Sequence, residues 1–348
     1  MRTLEWDDAG RRLKMIDQRA LPSQLTYLYM ETFQSVIEAI KNMAVRGAPA
    51  IGVAAAFGVV LAAQQSEGKS REAFLSEIED AVLQLAAARP TAVNLTWALK
   101  RMGAVLETGF ETIDQASAAL LATARKMADE DVETNLSISK FGAELIEDGD
   151  TIIHHCNTGA LATVDWGTAL GVIRMAHKQG KKIHVLVDET RPRLQGARLT
   201  AWELSQYGIP YDIINDNAAG FFLQRGQVQK VIFGADRVAR NGDVANKIGS
   251  YMLALAAHAN QVPVYSVFPT STVDPETETG GQIVIEERDP AEVLGIQFQH
   301  EMVAPPGATA RNPDFDVTPH QLITAWVTEK GVIYTPFAEN LKKSVAEN

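Results

Sequence analysis

TIIHHC (151–156), ALATVDWGTALGVIRMAHKQ (160–179) and KIHVLVDE (182–189) are the stretches that decide the fold. A short β-rich run, a stretch with apolar residues at spacings of three and four, and a second β-rich run make one strand–helix–strand unit. The series then repeats. GARLTAWELSQYG (196–208) reads as helix, and YDIIND (211–216) and VIFGAD (231–236) as strands. ANKIGSYMLALAAHAN (245–260) reads as one helix, VPVYSVF (262–268) as a strand, and KGVIYTP (330–336) as a late strand joining the sheet. Such alternation predicts a parallel, doubly wound sheet, because parallel neighbours need a crossover between them.

Outward from that block the period changes near residue 150. From Thr32 to about Ala143 the pattern is helical: TFQSVIEAIKNMAV, AFLSEIEDAVLQLAAA, NLTWALKRMGAVLE and IDQASAALLATARKMADED. Residues 1–30 alternate in a strand-like way, with Asp7–Gly10 as a turn signal. The expected class is α/β, in two domains. Residues 1–135 form a mainly helical N-terminal domain with a short β-rich start, packed on a C-terminal domain, 136–348, with a mainly parallel sheet. No Pro/Gly/Ser-rich linker, internal repeat or low-complexity tract interrupts the chain.

Composition narrows the function. With 348 residues, 46% of them hydrophobic, the chain has apolar material for more than one compact core. A net charge of −11 argues against a general nucleic-acid or anionic-membrane surface, both of which want a basic face. One cysteine excludes an intrachain disulfide framework, disfavours a structural zinc site and fits a reducing cytoplasm. AIGVAAAFGVVLAA (50–63) is short for a membrane span and suits an internal helix. The N-terminus lacks the apolar core of a signal peptide.

Ligands of an open parallel sheet gather at the carboxyl ends of its strands. The residues there are His155-Cys156-Asn157-Thr158-Gly159, Asp188-Glu189-Thr190-Arg191, Asp216-Asn217, Gly234-Ala235-Asp236-Arg237 and Pro269-Thr270-Ser271-Thr272. Cys156 stands before a helix expected to begin near Thr158-Gly159, whose dipole would favour the thiolate. A buried, inert thiol is the plainer reading. Asp236 ends an apolar strand, where desolvation raises a carboxyl towards a general acid's range; an N-cap or turn aspartate is its plainer reading. His154 and Cys156 on one strand face are too few to hold a metal.

Neither a Walker A loop nor a strand-linked G-x-G-x-x-G is present, so a nucleotide cofactor is not indicated. Anion-binding candidates are Arg46-Gly47-Ala48-Pro49 ahead of the small-residue helix, Asn246-Lys247 near the start of another, and the basic turn Arg89-Pro90-Thr91. Each alone is more often a cap or a surface turn.

The same segments carry a resemblance. VRGAPAIG (45–52), RPTAVNL (89–95), HCNTGALAT (155–163), GTALGVIR (167–174), DETRPRLQGARLTAWEL (188–204), GADRVARNGDVANKIGSY (234–251), PTSTVDPET (269–277) and IEERDPAEV (285–293) resemble the methylthioribose-1-phosphate isomerases. These belong to a superfamily that includes regulatory subunits of the eukaryotic translation-initiation exchange factor. The resemblance implies a Rossmann-like C-terminal domain, a homodimer, and no metal or organic cofactor. It implies Cys156 and Asp236 as catalytic residues, and Arg46, Gly47, Ala48, Arg89, Gln195, Asn246 and Lys247 as substrate-binding residues. The implied reaction is an aldose–ketose isomerisation in methionine salvage, on a sugar-phosphate substrate. The chain departs from the family pattern at Val164-Asp165-Trp166, at Arg193 and in VYSVFP (264–269). The competing expectations are a ribose-1,5-bisphosphate isomerase, which needs a second cationic cluster, and a non-catalytic translation-factor subunit, which needs neither Cys156 nor Asp236.

Overall fold

A computed structural model describes residues 1–89 and 93–346; Pro90, Thr91 and Ala92, which include two residues of the basic turn at 89–91, lie outside the described residues. The chain forms two compact units. One comprises Met1–Ser139 with Thr158–Gly171, the other Lys140–Asn157 with Val172–Asn348.

In the first unit, β1 (Leu4–Asp7), β2 (Arg12–Ile16) and β3 (Tyr27–Met30) make an antiparallel sheet. β1 turns into β2 where the Gly10 amide donates to Asp7 Oδ1 at 3.3 Å. Next come α1 (Phe33–Lys41), α2 (Ala48–Gln65), α3 (Arg71–Ala88), α4 (Val93–Glu107) and α5 (Ile113–Ala143), the last running on into the second unit. The Thr32 hydroxyl caps α1 by accepting from the Ser35 amide, a bond worth about 1 kcal/mol. Phe33, Val36, Ile37 and Ile40 then share the buried face. α2 has no polar face because α1, α3 and α4 enclose it. Among the described residues it is the one helix long and apolar enough to cross a membrane, and 78% of that window is buried inside the protein. The packed core explains the composition of 50–63.

The second unit runs β4 (Thr151–His154), α6 (Ala169–Lys178, begun in the first unit), β5 (His184–Asp188), α7 (Ala201–Tyr207), β6 (Tyr211–Ile214), α8 (Ala219–Gln224) and β7 (Lys230–Phe233). It continues through β8 (Arg237–Ala239), β9 (Val244–Lys247), α9 (Ser250–Ala259), β10 (Val264–Val267), β11 (Val273–Asp274), α10 (Ala291–Leu294), β12 (Gln297–Phe298) and β13 (Glu301–Met302). β14 (Phe315–Thr318), β15 (Ala325–Thr328), β16 (Gly331–Tyr334) and α11 (Phe337–Ala346) complete it.

Seven strands form one sheet in the order β16-β15-β10-β7-β4-β5-β6. All neighbours are parallel except β15 and β16, so the mainly parallel sheet is as expected, with KGVIYTP added antiparallel at its edge. The core on one flank closes around Trp326, stacked on Phe337 at 4.4 Å between ring centroids and edge-on to Phe268 at 5.3 Å. A second sheet, β11-β8-β9-β14, was not anticipated.

Two expected helices are shorter than their periodicity suggests. The helix read over 245–260 begins at Ser250; Val244–Lys247 instead pairs as β9 with β14, and Gly249 at φ +103° breaks the path into the helix. The helix read over 160–179 begins at Ala169; before it lie a single tight turn, Ala160–Ala162, and a loop in which Gly159 pairs with Gly167.

Candidate active site

The large sheet begins in its middle. The chain passes from β4 outward to β5 and β6, then returns to lay β7 on the other side of β4 before moving to β10 and β15. Strand order therefore reverses between β4 and β7, and the crevice beyond the carboxyl ends of such a pair is the preferred ligand site of an open parallel sheet. His154 lies opposite Ile232 across that pair. Cys156 stands two residues past the end of β4, and Asp236 three past the end of β7.

Cys156 is buried, 5% exposed, and left-handed at φ 66°. Its amide donates to Thr190 Oγ1 at 2.9 Å, and its carbonyl accepts from Thr200 Oγ1 at 2.7 Å. The expected helix start beside it is absent: α6 begins at Ala169, so no helix dipole at Thr158-Gly159 accounts for an activated thiol. Beneath it, Asn157 Nδ2 donates to Thr200 Oγ1 at 3.2 Å and Glu203 Oε1 at 2.9 Å.

His155 is fully enclosed. Its Nδ1 lies 2.8 Å from Asp188 Oδ2 and its Nε2 2.9 Å from the Ile248 carbonyl. Burial alone would lower its pKa, but the Asp188 bond, the charges of Asp188 and Asp216 and the Ile248 bond outweigh it and raise the imidazole above its usual value. Burial pushes the Asp188 carboxyl up to about 6, against the pull of His155. Both ring nitrogens thus face protein oxygens, Nδ1 the Asp188 carboxyl and Nε2 the Ile248 carbonyl, a setting that favours the protonated ring. His155, Asp188 and Asp216 converge closely enough to suggest a cation site, but both ring nitrogens of His155 are already engaged by protein oxygens. Asp216 in turn accepts from the Thr190 and Arg191 amides, both at 2.7 Å.

This pair is a structural joint, and removing one partner strands the other. Asp188→Asn is expected to lower stability by about 3 kcal/mol in urea unfolding. The raised folded pKa of His155 also sets a sign. Its contribution is fully present below the unfolded value of about 6.5 and is lost as pH rises through the higher folded value. The wild-type urea midpoint should therefore fall as pH rises above about 6.5, and fall less in Asp188→Asn; equal slopes would show that the pair does not hold the proton.

Asp236 is half-buried, and its amide donates to the Ala245 carbonyl at 2.9 Å. β8 and β9 pair antiparallel, with Arg237 opposite Ala245. Asn246 and Lys247 follow Ala245, the acceptor of the Asp236 amide, with their side chains on opposite faces of the strand. Asn246 and Lys247 lie on β9 rather than at a helix start, and Asp316 already fills the N-terminus of α9, accepting from the Gly249 amide at 2.7 Å and the Tyr251 amide at 3.0 Å. Lys247 is itself ion-paired with Asp314 and sits 4.9 Å from the centre of the Phe315 ring. Asn246 Nδ2 donates to Ser250 Oγ. Gln195 follows β5, buried, with a side-chain carbonyl that has no hydrogen-bond partner among the described residues, as a ligand-facing amide would. Arg193, one of the departures from the family pattern, pairs with Glu292 at 2.8 Å.

Arg46, Gly47, Ala48 and Arg89 belong to the first unit. Gly47 caps α2 at φ +92°, and a Cβ there would lie 2.4 Å from the Ala162 carbonyl oxygen. Packing on the 160–162 turn leaves no room for a side chain at this position. Arg46 precedes that cap, and Arg89 is the C-cap of α3. The sequence drew no attention to Thr190 and Thr200 as partners of Cys156.

Residues 44–335 match the initiation factor 2 subunit family. The chain belongs to that family. Within it, the chain is 52% identical over 344 residues to the methylthioribose-1-phosphate isomerase of Caldanaerobacter subterraneus subsp. tengcongensis, covering 99% of both. The crystal structure of 5-methylthioribose 1-phosphate isomerase from Pyrococcus horikoshii superposes with a TM-score of 0.91 at 46% identity, over 100% of this chain and 96% of that one. A translation initiation factor eIF-2B delta subunit from A. fulgidus superposes at 0.87 and 43% identity, over 99% of each chain. The family thus joins chains named as enzymes and chains named as translation factors, and what separates them has to be sought in the site.

Proposed function

We propose that this member of the initiation factor 2 subunit family is an aldose–ketose isomerase that converts 5-methylthioribose 1-phosphate to 5-methylthioribulose 1-phosphate, a step of methionine salvage. The observation that carries the chemical reading is the reversal point between β4 and β7, where one strand end bears Cys156 and the other Asp236. A translation-factor subunit needs neither group.

The anomeric phosphate blocks spontaneous opening to a free aldehyde, so ring opening needs help. In the proposed route the Asp236 carboxyl gives its proton to the ring oxygen as the bond from C1 to that oxygen breaks. Hydrogen then moves from C2 to C1, either as hydride or as a proton taken up and returned by Cys156. The C2 hydroxyl loses its proton to the Asp236 carboxylate as the ketone forms, which restores the acid. Both routes leave the enzyme unchanged and the substrate isomerised.

Arg46, Gly47, Ala48, Arg89, Gln195, Asn246 and Lys247 are proposed to bind the substrate. Phosphate contacts made equally in ground and transition states set KM rather than kcat. Arg46→Met is therefore expected to raise KM about tenfold with kcat within about twofold, measured by steady-state kinetics. Lys247→Met should in addition lower stability, because it strands the buried Asp314 carboxylate. A cytoplasmic location and a homodimer complete the proposal, resting on the single cysteine and on the family.

The substrate is tested by comparing kcat/KM for 5-methylthioribose 1-phosphate and ribose 1,5-bisphosphate. Preference for the first supports the proposal, preference for the bisphosphate assigns the related isomerase, and turnover of neither overturns an enzymatic role.

A further inference from the structure

Cys156 sits in a backbone conformation that L residues seldom adopt, and so does the residue that holds it. Thr190 is left-handed at φ 62°, a genuine outlier for a β-branched side chain. Strain of this kind persists where surrounding bonds over-determine it. Here the bonds are on the page. Thr190 Oγ1 accepts from the Cys156 amide and donates to the Asp188 carbonyl at 3.0 Å, while the Thr190 amide is held by Asp216. On the other side of the same residue, Thr200 Oγ1 donates to the Cys156 carbonyl and accepts from Asn157 Nδ2. Thr190 and Thr200 are buried, at 0% exposure, so solvent cannot replace either hydroxyl.

We propose that Thr190 and Thr200 are positioning residues, a two-hydroxyl clamp that fixes both peptide groups of Cys156 and so sets the direction in which its thiol leaves the strand end. The φ of a residue helps decide where its Cβ points, and the N–H and C=O of a buried residue both need hydrogen-bond partners. Each hydroxyl ties one. This deepens the proposed function, since it rests on Cys156 being the reacting group.

Thr190→Gly separates the clamp from ordinary stability. Glycine accepts φ 62° without strain, so the fold is kept while the hydroxyl is lost. Thr200→Val keeps the shape and loses its hydroxyl; Thr190→Ser and Thr200→Ser keep both hydroxyls. The clamp predicts that Thr190→Gly and Thr200→Val lose about tenfold or more in kcat with KM within about threefold, and that the serine variants stay within about threefold of wild type. Folded Thr190→Gly turning over within about threefold of wild type overturns the clamp.

A second measurement does not depend on turnover. Cys156 is the only thiol, so its rate of modification by methyl methanethiosulfonate reports on it alone. That rate should rise about threefold or more in Thr190→Gly, as the loosened residue samples other directions. If Cys156→Ala enzyme turned over normally, the assignment of the thiol would fail while this rise would still be expected. An unchanged modification rate in folded Thr190→Gly overturns the clamp whichever way that assignment falls.

Discussion

Asp236→Asn is expected to bind 5-methylthioribose 1-phosphate as the wild type does and to turn it over about 10³-fold more slowly, within the range for loss of a positioned general acid. The asparagine keeps the shape and the backbone bond to Ala245 and has no transferable proton. An acid that protonates the ring oxygen must be neutral when substrate is bound, whereas an ordinary aspartate, with a pKa of about 3.9, is ionised at neutral pH. Asp236 is half-buried in the free protein, so ligand binding over it must complete the desolvation. Activity then falls as pH rises through the pKa of the complex, and Asp236→Asn should lose that alkaline limb of the kcat profile along with the rate. Retained affinity with near-normal turnover would move ring opening to another group.

Cys156→Ala is expected to lower kcat about 10²-fold or more, with the fold intact. Little volume is lost, and the hydrogen bonds to Thr190 and Thr200 survive because on residue 156 they involve only the backbone N–H and C=O. Circular dichroism and the urea midpoint should stay near wild type while turnover collapses. Near-wild-type turnover would leave Cys156 as a packing residue, its plainer reading from the start.

The large sheet was legible because its strands are short, apolar and separated by helical spacing, and the strand-end rule then named the crest on which Cys156 and Asp236 stand. Helix starts were not. The stretches at 160–179 and 245–260 are rich in alanine and periodic, but Gly167 and Gly249 interrupt them in ways that only tertiary pairing reveals. The small sheet was missed because its strands hold two to four residues and pair at long range, as Asn246 does with Asp316. Thr200 left no local signal either, since it meets Cys156 across 44 positions. The single thiol drew a helix-dipole explanation; its setting is instead a hydroxyl clamp beside an enclosed imidazole, with partners from the ends of β5 and β9.

The most direct measurement follows one labelled carbon. 5-Methylthioribose 1-phosphate carrying ¹³C at C2 is mixed with wild type, Asp236→Asn and Cys156→Ala, and the ketone carbonyl of the product is followed by NMR. The account predicts a growing ketone signal with the wild type and almost none with either variant over the same time. A ketone signal growing equally fast with both variants, or none with the wild type, would contradict it.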